Sequence, residues 1–485
     1  MNKSKIVQIL NGFSPKEIKE FEKFVVSPYF NTGRNAEGLF NILKEYYPDF
    51  ESPDLERELV FERLFPGEKF VEKKFKNVTS ALTQLADRFL VNERLRNDPV
   101  EFEQLLYKEY WERENYKPFL SILNSLEKRI EKLPFDRKNA FLVEEGIASY
   151  RYSYYLKLSR PDKAIPFIGE SSEYNSLSFL IKFIKSFMLS HTAVITYNTP
   201  VKNTLFEVFR NGLDLDKIIA GLRKSKYRYL WLLELYYYTL KTYTDLNDVK
   251  SFKKARDIFN KHIDKFSRYE KYFIFNDFYG FCVRQFSRGN TNFLSTEFEI
   301  CKQQKNENAL TISDSASLDL MFFRNFVYTA LKAKEYDWLE EFVNDCAIMM
   351  PPDGRDSMRD FTLARLEFER GNFNKALEYA SKIQYEIFTY KLDVKNLLLL
   401  TYYELELFDQ AESLIDTYKH YITTMKEFSP AYLKKFKDFI KIYSLLFKAR
   451  TSGKSQDPDL LLKKAEDIKV LPSRAWFVQK IKELQ

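Results

Sequence analysis

Three histidines, three cysteines and scattered carboxylates are what this 485-residue chain offers for acid–base, nucleophilic or metal chemistry. His191, His262 and His420 stand far apart, and none has a second histidine at metal-ligand spacing. Their expected places are the surface or a helix–helix contact. Cys282, Cys301 and Cys346 are 19 and 45 residues apart, without the Cys-x-x-Cys spacing of a zinc site or redox dithiol, and this fits a reduced compartment. Ser452-Gly453-Lys454-Ser455 has the last residues of a phosphate-binding loop, but Lys448 stands where its first glycine belongs, so the segment reads as a linker. Carboxylate pairs such as Glu144-Glu145, or Asp214 and Asp216, lack any metal-loop context and belong on solvated helix faces. These residues point away from an enzyme. No cofactor and no metal are expected.

The densest cationic stretch is Arg223-Lys224-Ser225-Lys226-Tyr227-Arg228-Tyr229, four cations around two tyrosines with no acid among them. Cations there would hold phosphates while the rings stack on bases. A nucleic-acid-associated regulator using Arg223, Lys224, Lys226 and Arg228 is therefore the alternative functional reading. The plainer one is a helix start with a solvated basic face. Net charge over the chain is only +7, with no strongly basic block of the kind that neutralises many phosphates at once.

The elements that position these residues are read from punctuation. Glycine numbers 13, against roughly 34 at ordinary usage. Hairpins, nucleotide-binding turns and barrels all need residues that tolerate positive φ, so those folds are disfavoured. No proline occurs between Val201 and Met350, a stretch whose glycines are Gly212, Gly221, Gly280 and Gly289. Helices joined by short polar turns are what such a stretch builds. With 45% hydrophobic and 17% aromatic residues the chain can bury a large core, while 30% charged residues and a mean hydropathy of −0.42 give it a polar surface.

Near the start, Ser14-Pro15-Lys16-Glu17 sets a capping box, and Ser27-Pro28 ends the helix carrying Phe21, Phe24 and Val25. Further helices are predicted over about Asn35–Tyr47, Pro53–Leu64 and Glu68–Arg96, with a boundary near Asn97-Asp98-Pro99. The apolar stretch Ser178–Tyr197 is interrupted by Lys182 and Lys185, and Tyr229–Leu240 contains Glu234, so no membrane span is expected. Ile6 to Leu10 is too short for the core of a signal peptide, which points to a cytoplasmic protein with no membrane partner.

Beyond the boundary one theme recurs: an amphipathic helix, a polar turn, then an aromatic followed three residues later by a small residue. Phe373 and Ala376 map onto Phe408 and Ala411, 35 residues on, with weaker copies at Phe252/Ala255 and at Tyr336/Leu339. The alanine marks a close helix crossing. Gly371 suits a left-handed helix cap better than Glu406 does at the matching position. Over about Asp319–Tyr421 these residues resemble the tetratricopeptide repeat, a helix pair of about 34 residues. Spacings of 37 residues from Tyr336 to Phe373 and 41 from Phe252 to Phe293 make the remainder an irregular hairpin array.

The expected fold is all-α, a right-handed α-solenoid of antiparallel helix hairpins. Its expected divisions are residues 1–97 as an N-terminal helical domain, 98–318 as irregular hairpins, and 319–485 as tetratricopeptide-like repeats with a C-terminal capping helix over Ala475–Leu484. The resemblance implies that the first helix of each pair lines a concave groove. That register selects Arg324, Tyr328 and Lys332, then Phe361, Arg365 and Phe368, then Asn396 and Tyr403. The phenylalanines and Tyr403 also suit ordinary core. Such a mixture fits a protein or peptide partner with an acidic group, held by Arg as a fork and Tyr as a rigid anchor. It lacks the Lys and Asn pattern of the family's carboxylate clamps. A non-catalytic scaffold or adaptor is the expected function.

Overall fold

A computed structural model of the chain describes all residues except 2, 32, 34, 135–139, 198–203, 384–387, 425–429, 453–456, 469 and 485. The described residues are helical and contain no strand, and they divide into two compact units, Met1–Lys132 and Leu133–Gln485.

The first unit holds α1 (Lys5–Asn11), α2 (Pro15–Val25), α3 (Ala36–Lys44), α4 (Arg57–Leu64), α5 (Glu72–Asn97), α6 (Pro99–Glu112) and α7 (Tyr116–Ile130). The capping box at Ser14 forms as the sequence dictates: Ser14 N–H donates to Glu17 Oε2 at 2.7 Å, and Ser14 Oγ accepts from Glu17 N–H at 3.3 Å. Phe21 and Phe40 meet edge-on at 5.1 Å in a core closed by Leu82 and Phe89 of α5. Two starts differ from expectation. Pro53–Leu55 makes one 3₁₀ turn, and extended backbone at Glu56 separates it from α4. The long helix begins at Glu72, after an extended Val71, instead of at Glu68. The unit also extends to Lys132, past the boundary expected at Asn97. Asp98 alone separates α5 from α6, and its carboxylate caps α6 by accepting from Glu101 N–H at 3.1 Å.

The second unit begins with α8 (Ala140–Lys157), α9 (Pro161–Tyr197), α10 (Thr204–Gly212), α11 (Leu215–Lys224), α12 (Leu230–Thr244) and α13 (Val249–Lys261). It continues with α14 (Arg268–Ser287), α15 (Phe293–Asn306), α16 (Leu320–Ala333), α17 (Tyr336–Cys346), α18 (Pro352–Glu369) and α19 (Phe373–Ser381). It ends with α20 (Phe388–Glu404), α21 (Phe408–Thr424), α22 (Pro430–Ser452), α23 (Pro458–Asp467) and α24 (Arg474–Lys482). Each helix packs on its successor in the pairs α12/α13, α14/α15, α16/α17, α18/α19 and α20/α21. Helices two apart also touch, α16 with α18, α18 with α20, and α20 with α22. Ala255, Ala376, Ala411 and Leu339, the small-residue positions of the recurring theme, are all sealed from solvent. The three cysteines are free thiols, also buried.

One turn recurs. A left-handed residue ends the first helix at Gly289, Lys334, Gly371 and Glu406, with φ of 96°, 59°, 79° and 54°. The next N–H then donates to the carbonyl five residues earlier: Asn290 to Gln285 at 3.1 Å, Glu335 to Ala330 at 3.0 Å, Asn372 to Glu367 at 2.8 Å and Leu407 to Tyr402 at 2.8 Å. The same closure appears at Glu114 in the first unit and at Ser159 between α8 and α9.

By length and composition α9 is apolar enough to cross a membrane over Pro161–Val194, although Lys182 and Lys185 fall within it. Its Phe183, Ile184 and Met188 are buried in the unit.

Candidate functional site

Asp319 caps α16, its carboxylate accepting from Phe322 N–H at 2.9 Å, and so fixes the register of the helix that supplies Arg324, Tyr328 and Lys332 one turn apart. The Arg324 guanidinium lies 4.6 Å from the centre of the Tyr328 ring. From α18, Arg365 comes within 5.9 Å of the same ring. From α20, Asp393 accepts a hydrogen bond from Arg324 Nε, and Asn396, one turn on, accepts from the Tyr418 hydroxyl at 2.6 Å. Lys435 of α22 completes the group, close enough to feel the charges of Arg324, Asp393 and Lys332. These residues come from α16, α18, α20 and α22, every second helix of the series.

Arg324, Arg365 and Asp393 are 8%, 7% and 3% exposed, so their charges interact with little screening. Burial, followed by repulsion from Arg324, pushes the Lys435 ammonium down to about 8 despite the nearby Asp393. Lys332 touches solvent and makes no ion pair among the described residues. Its ammonium is nevertheless held below the usual lysine range, first by the protein around it and then by Arg324, with Glu297 opposing. Arg365 donates to Glu369 at 2.9 Å through Nη2, while its buried Nε has no acceptor. Burial also raises the Tyr328 phenol above its ordinary range. Arg324 and Lys435 thus have Asp393 as their counter-charge and Arg365 has Glu369, while Lys332 has Glu297 behind it, which takes a hydrogen bond from Thr329 at 2.6 Å.

Of the residues selected from sequence, Arg324, Tyr328, Lys332 and Arg365 come together, and Asn396 borders them on Asp393's helix. Tyr403 lies elsewhere: it is buried under Trp476, rings edge-on at 5.2 Å. Phe361 and Phe368 are core, packed on Tyr328 at 6.2 Å and Phe373 at 5.3 Å. Sequence reasoning missed Asp393 and Lys435. Asp393 lay within reach, three residues before Asn396 on the same helical face.

In the basic segment Arg223 donates to Glu234 at 2.7 Å and to the Tyr238 hydroxyl at 2.6 Å. Arg228 donates to Tyr174 at 2.7 Å and lies 4.5 Å from the Tyr229 ring. Lys224 and Lys226 are exposed, Lys226 in the left-handed turn after α11. The segment is thus the end of one helix and a turn, instead of the expected helix start, and its arginines serve internal contacts. His262 stacks on Trp231 at 4.1 Å, and His420 is exposed. Among the described residues no three His, Cys, Asp or Glu side chains converge as metal ligands. The segment with the phosphate-loop ending lies outside the described residues over 453–456.

Known family models, curated proteins and solved structures offer no match to this chain.

Proposed function

We propose that the second unit is a right-handed α-solenoid of tetratricopeptide-like hairpins whose inner face binds a protein or peptide through an acidic group, as a non-catalytic scaffold. The observation that carries this reading is the source of the cation cluster. Arg324, Arg365 and Lys435 are supplied by α16, α18 and α22, and in a stack of hairpins these alternate helices share one face. Stability alone gives no reason to gather cations there, since each buried charge loses hydration. An acidic side chain, offered to Tyr328 and the two arginines, would recover that loss through charge-assisted hydrogen bonds.

The test uses Lys332, which touches solvent but has the buried Glu297 behind it, so its charge is removed with Lys332→Gln instead of being reversed. Binding of a library of acidic peptides to the full chain is measured by fluorescence anisotropy. Lys332→Gln is expected to weaken the best binder by about tenfold, the scale of a charge pair at a desolvated site, while the chain keeps its cooperative melting transition. Affinity is also expected to decline as pH rises through about 8, where Lys435 loses its proton. Affinity unchanged by Lys332→Gln and flat across that pH range would sink the proposal. Arg365→Glu, attractive from sequence, is a poorer probe because the new carboxylate would be buried beside Glu369.

A further inference from the structure

A second group of polar side chains lies where α9, α12 and α14 meet, away from the cluster around Tyr328. Glu270 and Asp277 of α14 stand seven residues apart, followed at the same interval by Arg284, and all three face Tyr236 and Tyr243 of α12 or Lys185 and His191 of α9. Most of the group is satisfied internally. Glu270 is buried and accepts from Lys185 and from the Tyr236 hydroxyl. Asp277 accepts from the Tyr243 hydroxyl at 2.5 Å, and burial pushes its carboxyl up to about 6, so at neutral pH it is mostly ionised but is engaged by that hydroxyl and makes no ion pair with Arg284.

Arg284 is the exception. Its guanidinium lies 4.9 Å from the centre of the Tyr243 ring, yet Nε and Nη2 are shut off from water and have no acceptor, and no carboxylate among the described residues pairs with it. His191, edge-on to the same ring at 6.0 Å, likewise has a buried Nδ1 without a partner. Gly280 adds a separate observation. A helix interior disfavours glycine, but a Cβ at Gly280 would stand 3.2 Å from Arg284 Nη1. The glycine leaves room for the guanidinium to lie along the helix, with part of the side chain still in contact with solvent.

We propose that Arg284, with His191 beside it, is the seat of an oxyanion, a single carboxylate or phosphate group. An anion arriving at Nη1 would draw the guanidinium off Tyr243 and bring Nη2 to bear, the planar fork that suits two oxygens of one group. The oxyanion would also lift the His191 imidazole, now held below its usual range by burial and by Arg284, so that Nδ1 gains a proton to donate.

The experiment is thermal denaturation of the full chain at neutral pH in potassium phosphate, potassium acetate and potassium chloride at matched ionic strength. Wild type is compared with Arg284→Met and Gly280→Ala. The expected result is a saturable rise in wild-type melting temperature of a few degrees with an oxyanion and none with chloride. Arg284→Met should lose that rise while melting, in chloride, near the wild-type temperature, because the buried Nε and Nη2 donors that lack acceptors go with the charge. Gly280→Ala should melt higher in chloride and respond more weakly to the oxyanion. A response to acetate as well as phosphate identifies a carboxylate-type seat, and a response to phosphate alone a phosphate-type one. The proposal fails if wild type and Arg284→Met respond alike, if wild type shows no saturable rise, or if Arg284→Met melts far lower in chloride, which would make the arginine a packing residue.

Discussion

Asp393 is the residue on which the cation cluster is balanced. Its buried carboxylate is bonded to Arg324 and lies near Tyr328 and Lys435, so neutralising it would leave several cations facing one another at low exposure. Asp393→Asn keeps the shape and is expected to lower unfolding stability by about 3 kcal/mol, with Arg324→Met in the same chain restoring most of the loss. Urea denaturation of the single and double variants checks this, and an unaltered midpoint for Asp393→Asn would show that the cluster is screened by solvent. At this scale the sequence was partly legible. The i, i+4 spacing of Arg324, Tyr328 and Lys332 on one helix suffices to place them together. What Arg228 bonds to could not be read, because Tyr174 is 54 residues away and only the fold joins them. Tyr403 shows a different obstacle. Helical spacing assigns it to Asn396's side of α20, but the helix is covered on more than one side, and Trp476 of the last helix closes over that ring.

The helix–turn–helix pair is the element that the chain repeats, and its turn is more regular than its residues suggest. Gly289 and Gly371 adopt positive φ at no steric cost, whereas Lys334 and Glu406 take the same conformation with a Cβ to accommodate. Lys334→Gly is therefore expected to stabilise the chain by about 0.5–1 kcal/mol or to be neutral where unfolded-state entropy offsets the gain. Ala376→Leu, at a position sealed between helices, is expected to cost about 1–3 kcal/mol. Chemical denaturation of both variants tests the pair, and a loss of stability in Lys334→Gly equal to that of Ala376→Leu would contradict this account of the turn. The alanine positions were legible because close packing admits few residue types. The left-handed turn at Lys334 was not, and that at Glu406 only as the less suited match to Gly371, because the hydrogen bond that fixes them is made by the backbone, and the backbone is the same at every residue.

Across the whole molecule the all-helical class follows from what the sequence omits, few glycines and a long stretch without proline, more than from any motif. The division at Lys132 is harder to see from composition, since α5 runs into α6 with Asp98 alone between them. Each unit builds its own apolar interior: Phe21, Phe40 and Phe89 anchor one, while Phe281 and Phe323 are among the sealed rings of the other. In the second unit Cys282, Cys301 and Cys346 sit on α14, α15 and α17, each a free thiol with its ionisation suppressed by burial, Cys282 to about 12 and Cys346 to about 11. A thiol-reactive dye should therefore leave the native chain unmarked and label these three sites only as the helices around them part. Followed by mass spectrometry in rising urea, the order in which they are modified would time the opening of these three helices, a record kept by the protein's own sulfur atoms without an engineered label. Rapid labelling of all three in buffer alone would show that this region breathes far more freely than its packing implies.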